Sequence, residues 1–422
     1  MKTIVFIGTQ KSGSSREAIK AADELGYYTV LLTDRKNLIK QRTEFPDVHL
    51  MLLCDLDNIE EIRKAIRSLV VKALDLLAIA SFVDIHCYTA ALLSEEFGLN
   101  HFTTDAIKTM LNKISSREVL SGTSYAPGFV MLSEGSIPSK IEIIKFLPFI
   151  MKSPKSTGSK DVLKTTSYEE FNHNRKKLFE KYPGEPILIE EYLDGPQYLV
   201  ETIVNEGNLN IIAIFKQEIT FGKRFIITGY ELLIHPEDDF YNKLKSAVET
   251  IISKHGLKYG PCHLEMRLVK QHWKLVEINP RISGGGMNDL VKAGLGINLV
   301  KETLKILIGQ KPNLKPEYTR NAFAQYVTVS EPGILEKVTG RNKSLKAPGV
   351  KKVYIKPRKG SLLSPPLSMG NRYAYVIATG NTAEDAKINA KFAASQISFK
   401  LISKNKKKVV ENLESLPPIE EK

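Results

Sequence analysis

Apolar and polar residues alternate along the first hundred positions in a repeating change of period. Ile4 to Ile7 is a continuous apolar run closed by Gly8, Arg16 to Leu25 has helical spacing and stops at Gly26, and Tyr28 to Thr33 reads as the next strand. A helix over Ile59 to Leu69, a strand near Leu76 to Ala80 and a helix near Tyr88 to Phe97, ending at Gly98, continue the series. Strands separated by helices predict a parallel sheet covered on both faces. Such sheets bind ligands at the carboxyl ends of their strands, so the loop after Gly8 and the segment Ser81 to Asp84 are expected to face a cleft. Gly8 and Gly13 do not form the GxGxxG pattern, so a dinucleotide site is not expected there.

From Thr104 to Val119 the spacing predicts one helix carrying Lys113 and Arg117. A smaller unit follows, with strands at Phe146 to Lys152, Val162 to Thr165 and Ile187 to Glu191, and a helix opened by Ser167 and Glu170 as a capping box. Its loop from Ser153 to Asp161 holds small residues, hydroxyls and lysines, which suits either a phosphate cradle beside Lys152 or a basic surface hairpin. It is not a Walker A motif, because Gly158 is followed by Ser159, Lys160 and Asp161 and then a strand. Beyond Gln197 the pattern predicts a hairpin of Leu199 to Val204 with Leu209 to Gln217, a helix over Asp239 to His255, strands at Asn321 to Val329 and Tyr373 to Thr379, and a last helix from Thr382.

The densest chemistry lies between Gly260 and Arg281. Leu264, Met266 and Leu268 alternate with polar residues, as do Val276 and Ile278, so two half-buried strands flank Lys270 to His272. A three-residue loop pairing Val269 with Trp273 sets Glu265 opposite Glu277 and His263 opposite Asn279 on one face. Like charges directly across a strand pair repel, so this arrangement calls for a cation or a shifted carboxyl. The oxygen-rich set suits magnesium, with manganese as the alternative, and suits zinc poorly. The run Arg281 to Gly286 leads into a helix near Asn288 to Ala293, where backbone amides can approach an anion closely.

Composition narrows the remaining classes. Apolar residues at 42% and charged residues at 25% of 422 are ordinary globular usage. Cys54, Cys87 and Cys262 form no CxxC pair, which argues against a disulfide framework and for a reducing compartment. The chain opens without a signal-like segment and has no 18-residue apolar span, so a cytoplasmic protein without membrane partners is expected. The net charge of +13 is dispersed and not interleaved with stacking aromatics, so nucleic acid is not the expected partner.

With Lys113, Lys152, the small-residue loop, Glu190-Glu191-Tyr192-Leu193 and the two acidic strands in this order, the chain resembles the ATP-grasp superfamily, and within it the bacterial L-amino acid ligases. The resemblance implies a mixed α/β and α+β fold: an N-terminal Rossmann-like parallel-sheet domain over 1–110, a small central lid domain over 111–194, and a C-terminal antiparallel-sheet domain. The last is divided into a catalytic part over 195–318 and a subdomain over 319–402, followed by a disordered tail over 403–422. It implies ATP and magnesium as cofactors, amino acids as small-molecule substrates, and a homodimer as the assembly. Lys113 and Lys152 would contact the ATP phosphates, with Ser156, Gly158, Ser159 and Lys160 closing over them. Glu190, Glu191, Tyr192 and Leu193 match the linker strand beside adenine, and Gln197 stands where a ribose-binding acid is common. Glu265, Glu277 and Asn279 match the metal ligands, and Arg281 matches the arginine that neutralises the transferred phosphate. Glu231 and His235 resemble substrate-side residues and are the candidates for a general base, although a strand-end acid and a loop histidine describe them equally well. The reaction implied joins the carboxylate of one amino acid to the amine of another through an acyl phosphate. Alternatives are a carboxylate-amine ligase of cofactor, nucleotide or natural-product synthesis, and a non-catalytic ATP-binding regulatory module.

Overall fold

The computed structural model describes residues 1–99, 103–136, 138–154, 161–221 and 225–402. Ser156, Gly158, Ser159, Lys160 and the tail 403–422 lie outside the described residues.

The N-terminal strands β1 (Lys2–Ile7), β2 (Tyr28–Thr33), β3 (Leu50–Leu53) and β4 (Asp75–Ala80) form a parallel sheet in the order β3-β2-β1-β4. The apolar runs therefore pair as expected, with Ile4, Phe6 and Leu31 on one buried face and Val5, Ile7 and Val30 on the other. The small unit is a four-stranded antiparallel sheet of β5 (Phe129–Leu132), β6 (Phe149–Lys152), β7 (Val162–Thr165) and β8 (Ile187–Glu191), ordered β5-β8-β6-β7.

Then come β9 (Gln197–Asn205), β10 (Asn208–Phe221), β11 (Phe225–Leu232), β12 (Gly260–Val269), β13 (His272–Asn279), β14 (Asn321–Val327), β15 (Gly333–Thr339), β16 (Val350–Ile355), β17 (Leu362–Leu363), β18 (Ala374–Gly380) and β19 (Ser398–Ile402). Eight of these form one antiparallel sheet, β13-β12-β9-β10-β11-β14-β18-β16, and β17-β15-β19 form a small separate one. The large sheet thus takes strands from both sides of the boundary expected at 318. Its two faces are sharply different in what they meet. Leu199, Phe215, Tyr230 and Leu232 pack into the cluster that contains Ile4 and Phe6 of the N-terminal sheet. Tyr198, Val200 and Trp273 pack under Leu244, Val248 and Ile251 of the helix Asp238–His255.

Local chemistry explains where the elements depart from the periodicity. The helix expected over Thr104 to Val119 is two helices, Thr104–Leu111 and Lys113–Val119, because Asn112 is extended and its side chain accepts hydrogen bonds from the amides of Ile114 and Ser115. Lys113 thereby becomes the first residue of a helix. The strand expected from Phe146 starts only at Phe149. Ser139 and Glu142 form a capping box that turns Lys140–Phe146 into a helix, and Pro148 follows its end. Ser167 caps its helix as expected, but the Glu170 carboxylate reaches the amide of Thr166 instead of closing the box on Ser167.

The β12–β13 hairpin reaches the expected acid pairing by another route. Val269 pairs with His272 across a two-residue turn in which Lys270 (φ 47°) and Gln271 (φ 68°) both lie in the left-handed region. That turn alone would shift the acids by one position. A bulge between Glu265 and Met266 restores the count, so that Met266 faces Leu275 while Glu265 faces Glu277 and His263 faces Asn279.

Candidate active site

The paired acids lie on the sheet face that meets the N-terminal domain. Side chains alternate along β9, and Gln197 and Glu201 share the face of Glu265 and Glu277, since Gln197 Nε2 donates to Glu265 Oε2 at 2.9 Å and Glu201 faces His263. Burial and the facing Glu277 carboxylate push the Glu265 carboxyl above its ordinary value. Two acids held in register with one of them destabilised as an anion are a donor set that a divalent cation completes. Asn279 adds an amide oxygen from the next same-face position of β13. Among the described residues no cluster of three or more His, Cys, Asp or Glu could hold a metal by itself. Two carboxylates and an amide oxygen fit a hard ion that takes further oxygens from substrate and water better than a structural zinc.

Cations surround the acids. Lys113 Nζ lies 3.3 Å from Glu277 Oε1. Behind it, the buried Glu190 is clamped between two buried cations: Arg117 Nε donates to Oε1 at 2.7 Å and Lys152 Nζ to Oε2 at 2.6 Å. Burial opposes the Glu190 anion, but Arg117 and Lys152 outweigh it and hold the carboxyl below its ordinary value. Lys152 is lowered instead, first by burial and then by Arg117, with Glu190 opposing. Two cations sharing one carboxylate leave a surplus positive charge, which suits a polyphosphate.

On the other side, Arg281 NH2 donates to Asp84 Oδ2 at 2.7 Å and its Nε bonds the other oxygen of Asp84. Asp84 begins the helix Asp84–Glu96 just after β4, so the segment Ser81 to Asp84 does face the cleft. Burial works against the Arg281 charge, yet Asp84 keeps the guanidinium above its ordinary value. The β1 side contributes as well, because Ser14 Oγ donates to the carbonyl of Ser283 at 2.7 Å. Gly285 (φ 67°) and Gly286 (φ 90°) then take left-handed conformations, and a Cβ on Gly286 would stand 2.7 Å from the Tyr375 ring. They lead into the helix Met287–Leu295.

Residues 145–289, which span this face from the lid sheet to the glycine run, match the family model of the ATP-grasp domain, and residues 325–401 match that of the L-amino acid ligase C-terminal domain 2. The chain contains an ATP-grasp domain. It is 20% identical over 292 residues to the L-arginine-specific L-amino acid ligase of Bacillus subtilis, covering 68% of this chain and 70% of that protein. It is 23% identical over 337 residues to an uncharacterized protein of Sinorhizobium fredii, covering 78% and 69%. The crystal structure of an L-amino acid ligase from Bacillus licheniformis superposes with a TM-score of 0.79 at 19% identity, covering 96% of this chain and 99% of that one, and shows the shared fold.

Within this ATP-grasp frame two expected residues move away. Glu231 pairs with Lys216 and Phe323, whose neighbours Tyr198 and Ala386 belong to the opposite face, so strand alternation carries the Glu231 side chain away from Glu265. It lines a surface hollow with Phe240 and Ala383 instead. His235 sits in the loop after β11 at φ 54°, against Tyr241, Pro316 and Thr319, and joins none of the acid cluster. Neither is placed to act as the base. The linker also differs in detail. Glu190 uses its side chain in the buried clamp, Glu191 Oε2 accepts from the amide of Gly128 at 3.1 Å, and the Lys164 ammonium stands 3.8 Å from the Tyr192 ring centre. The Leu193 carbonyl accepts from Arg267 at 2.6 Å, and Gln197 is engaged at both ends of its amide, by Arg267 Nε and by Glu265.

Periodicity did not point to Glu201, nor to its pairing with His263. Glu201 is fully buried, accepts from His263 Nδ1 at 2.6 Å and from the amide of Ser283 at 3.2 Å, and so ties β9, β12 and the glycine segment together. Burial disfavours both charges, but each overcomes it in the other: the Glu201 carboxyl is held low and the His263 imidazole is pushed up. The available signal was a lone acid in the otherwise apolar run Leu199 to Val204.

Proposed function

We propose that the protein is an ATP-dependent carboxylate-amine ligase that joins the carboxylate of one amino acid to the amine of another through an acyl phosphate. The observation that carries this reading is the in-register pair Glu265 and Glu277, with Asn279 beside it and cations on both sides. The match to the L-amino acid ligase C-terminal domain supports amino acids as substrates.

In this reading Glu265, Glu277 and Asn279 hold magnesium. The ion, when bound, neutralises charge on the terminal phosphates of ATP and polarises the transferred phosphoryl group. Lys113 sits beside Glu277, where it meets the same phosphates, and Lys152, with Arg117, supplies the surplus positive charge at the lid. Attack of a carboxylate on a phosphate brings two anions together, and Arg281 is the fixed cation on the N-terminal side of that meeting point. The carboxylate oxygen bonds the terminal phosphorus as the P–O bond to ADP breaks. The amine then attacks the acyl carbon, a new C–N bond forms, phosphate leaves with the electron pair of the C–O bond, and the proton lost by the amine passes to the departing phosphate. Asp84 holds the Arg281 guanidinium in one orientation during both steps. Ser156, Gly158, Ser159 and Lys160 are proposed to cover the phosphates.

The test is ADP release from ATP and magnesium with the twenty amino acids, singly and in pairs, with products weighed by mass spectrometry. Amino-acid-dependent ADP release with a peptide mass is expected. ATP binding without turnover for any amino acid would overturn the reading.

A further inference from the structure

Two strands away from Glu265, the same sheet face carries a buried polar side chain without a hydrogen-bond partner among the described residues. Gln217 on β10 is 9% exposed, and neither its amide oxygen nor its amide nitrogen has a hydrogen-bond partner among the described residues. A buried amide without partners is unfavourable, because no hydrogen bond offsets the loss of its water. Nothing in the folding of β10 requires one there, since Phe215 and Ile219, its same-face neighbours, are apolar.

A cation shares this place. Gln217 is the register partner of Tyr230 on β11, and the Arg372 guanidinium stacks 3.9 Å from the ring centre of Tyr326 and 5.9 Å from that of Tyr230. Arg372 donates to the main-chain carbonyls of Met369 at 3.3 Å and Ile227 at 3.4 Å, both long for N–H···O bonds, and its side chain also bonds the Tyr230 hydroxyl. Among the described residues no carboxylate pairs with it. Its NH2 stands 3.3 Å from where a Cβ on Gly285 would lie, so the glycine leaves it room beside the glycine run.

We propose that Gln217 and Arg372 form the subsite that holds the non-reacting carboxylate of the amine-donating amino acid. This rests on the ligase reading above. That reaction consumes one carboxylate and leaves another, on the amine donor, in a site already rich in anions. Strand spacing puts Gln217 about 12 Å from Glu265, two inter-strand steps from β12 over β9 to β10 and two residues along β10. That span accommodates a phosphate at the acids, the acyl carbon, and an amino acid reaching toward Arg372. An amino acid also brings both kinds of partner the Gln217 amide lacks, ammonium or amine hydrogens for its oxygen and carboxylate oxygens for its nitrogen.

The experiment compares full-length wild type, Gln217→Leu and Arg372→Met. Hydroxylamine first traps the acyl phosphate, so hydroxamate formation by wild type tests the ligase reading by itself; none with any amino acid overturns that reading and this one with it. With the donor so found, each protein is assayed with the amino acid panel and with the matching primary amides as acceptors. The expected result is that kcat/KM for the free acids falls at least tenfold relative to the amides in both variants, and that Gln217→Leu melts no lower than wild type. Hydroxamate formation with an unchanged acid-to-amide ratio in the variants would overturn the inference alone. So would a wild type that prefers the amides, or a Gln217→Leu protein that loses stability, which would mark the amide as structural. If Arg372→Met fails to fold, the ratio in Gln217→Leu decides.

Discussion

Arg281 and Asp84 lie 197 residues apart and meet in a two-pronged ion pair, NH2 to Oδ2 at 2.7 Å with Nε on the other oxygen. The contact makes the N-terminal sheet part of the site, because Asp84 is fixed by the helix that follows β4. Asp84→Asn keeps the shape and removes the charge that orients the guanidinium. We expect kcat to fall roughly a hundredfold with a smaller change in KM for ATP. Steady-state kinetics with each substrate varied in turn check this, and an unchanged kcat would remove Asp84 from the positioning role.

Glu277→Gln takes one carboxylate from the pair while relieving its repulsion. Activity should fall at least about a hundredfold, with stability unchanged or slightly raised, by up to ~1 kcal/mol. Thermal melts with and without magnesium provide the second readout: wild type should gain stability from magnesium with ATP, and the variant should gain much less.

Glu231→Gln should behave like wild type within about twofold in kcat/KM, the range expected for a surface change away from any special feature. Its carboxylate sits across from Phe323 on the face opposite Glu265. A large loss of activity would return it to the list of catalytic candidates.

Removing the Glu190 charge by Glu190→Gln leaves Arg117 and Lys152 buried together without their common anion. Breaking a buried pair in this way costs about 3–5 kcal/mol. Urea unfolding should show a lower midpoint with an unchanged slope, and ATP binding should weaken as the lid cations separate.

The Arg16–Asp47 pair is buried on both sides. Burial opposes the Asp47 anion, but Arg16 outweighs it and holds the carboxyl below its ordinary value. A carboxyl that titrates lower in the folded chain than in the unfolded one stabilises fully above the unfolded value of about 4, and that contribution disappears as pH falls through the folded value. Wild type should therefore lose melting temperature between about pH 5 and pH 2 more steeply than Asp47→Asn, which should start lower at pH 7. Parallel curves for the two proteins would contradict the assignment.

The strands with unbroken apolar or alternating runs were legible, down to the bounds of β2 (Tyr28–Thr33) and β7 (Val162–Thr165). What periodicity could not supply was the effect of single polar side chains on the backbone: Asn112 splitting one helix into two, and Ser139 with Glu142 making a helix where apolar residues suggested a strand. The acids were legible because Glu265, Glu277 and Asn279 share one hairpin. Glu201 with His263 was not, because the two come from strands far apart in the chain, and only the pairing of β12 with β9 brings them onto one face. Glu231 and His235 failed for the complementary reason. A short motif says which residues are near in sequence but not which face of β11 they occupy.

The bulge between Glu265 and Met266 divides the β12–β13 ribbon into two independent lengths. Residues on the turn side act as a spacer: inserting one residue into each strand there would lengthen the arm by about 3.4 Å and leave the acids facing each other. Deleting Val276, the extra residue, would erase the bulge and keep Glu277 opposite Glu265, whereas one residue inserted between Glu277 and Asn279 would turn Asn279 to the helix-covered side of the sheet. The tolerance of this hairpin to length changes should therefore depend on where they fall, with the turn side forgiving and the stretch from Glu277 to Asn279 strict.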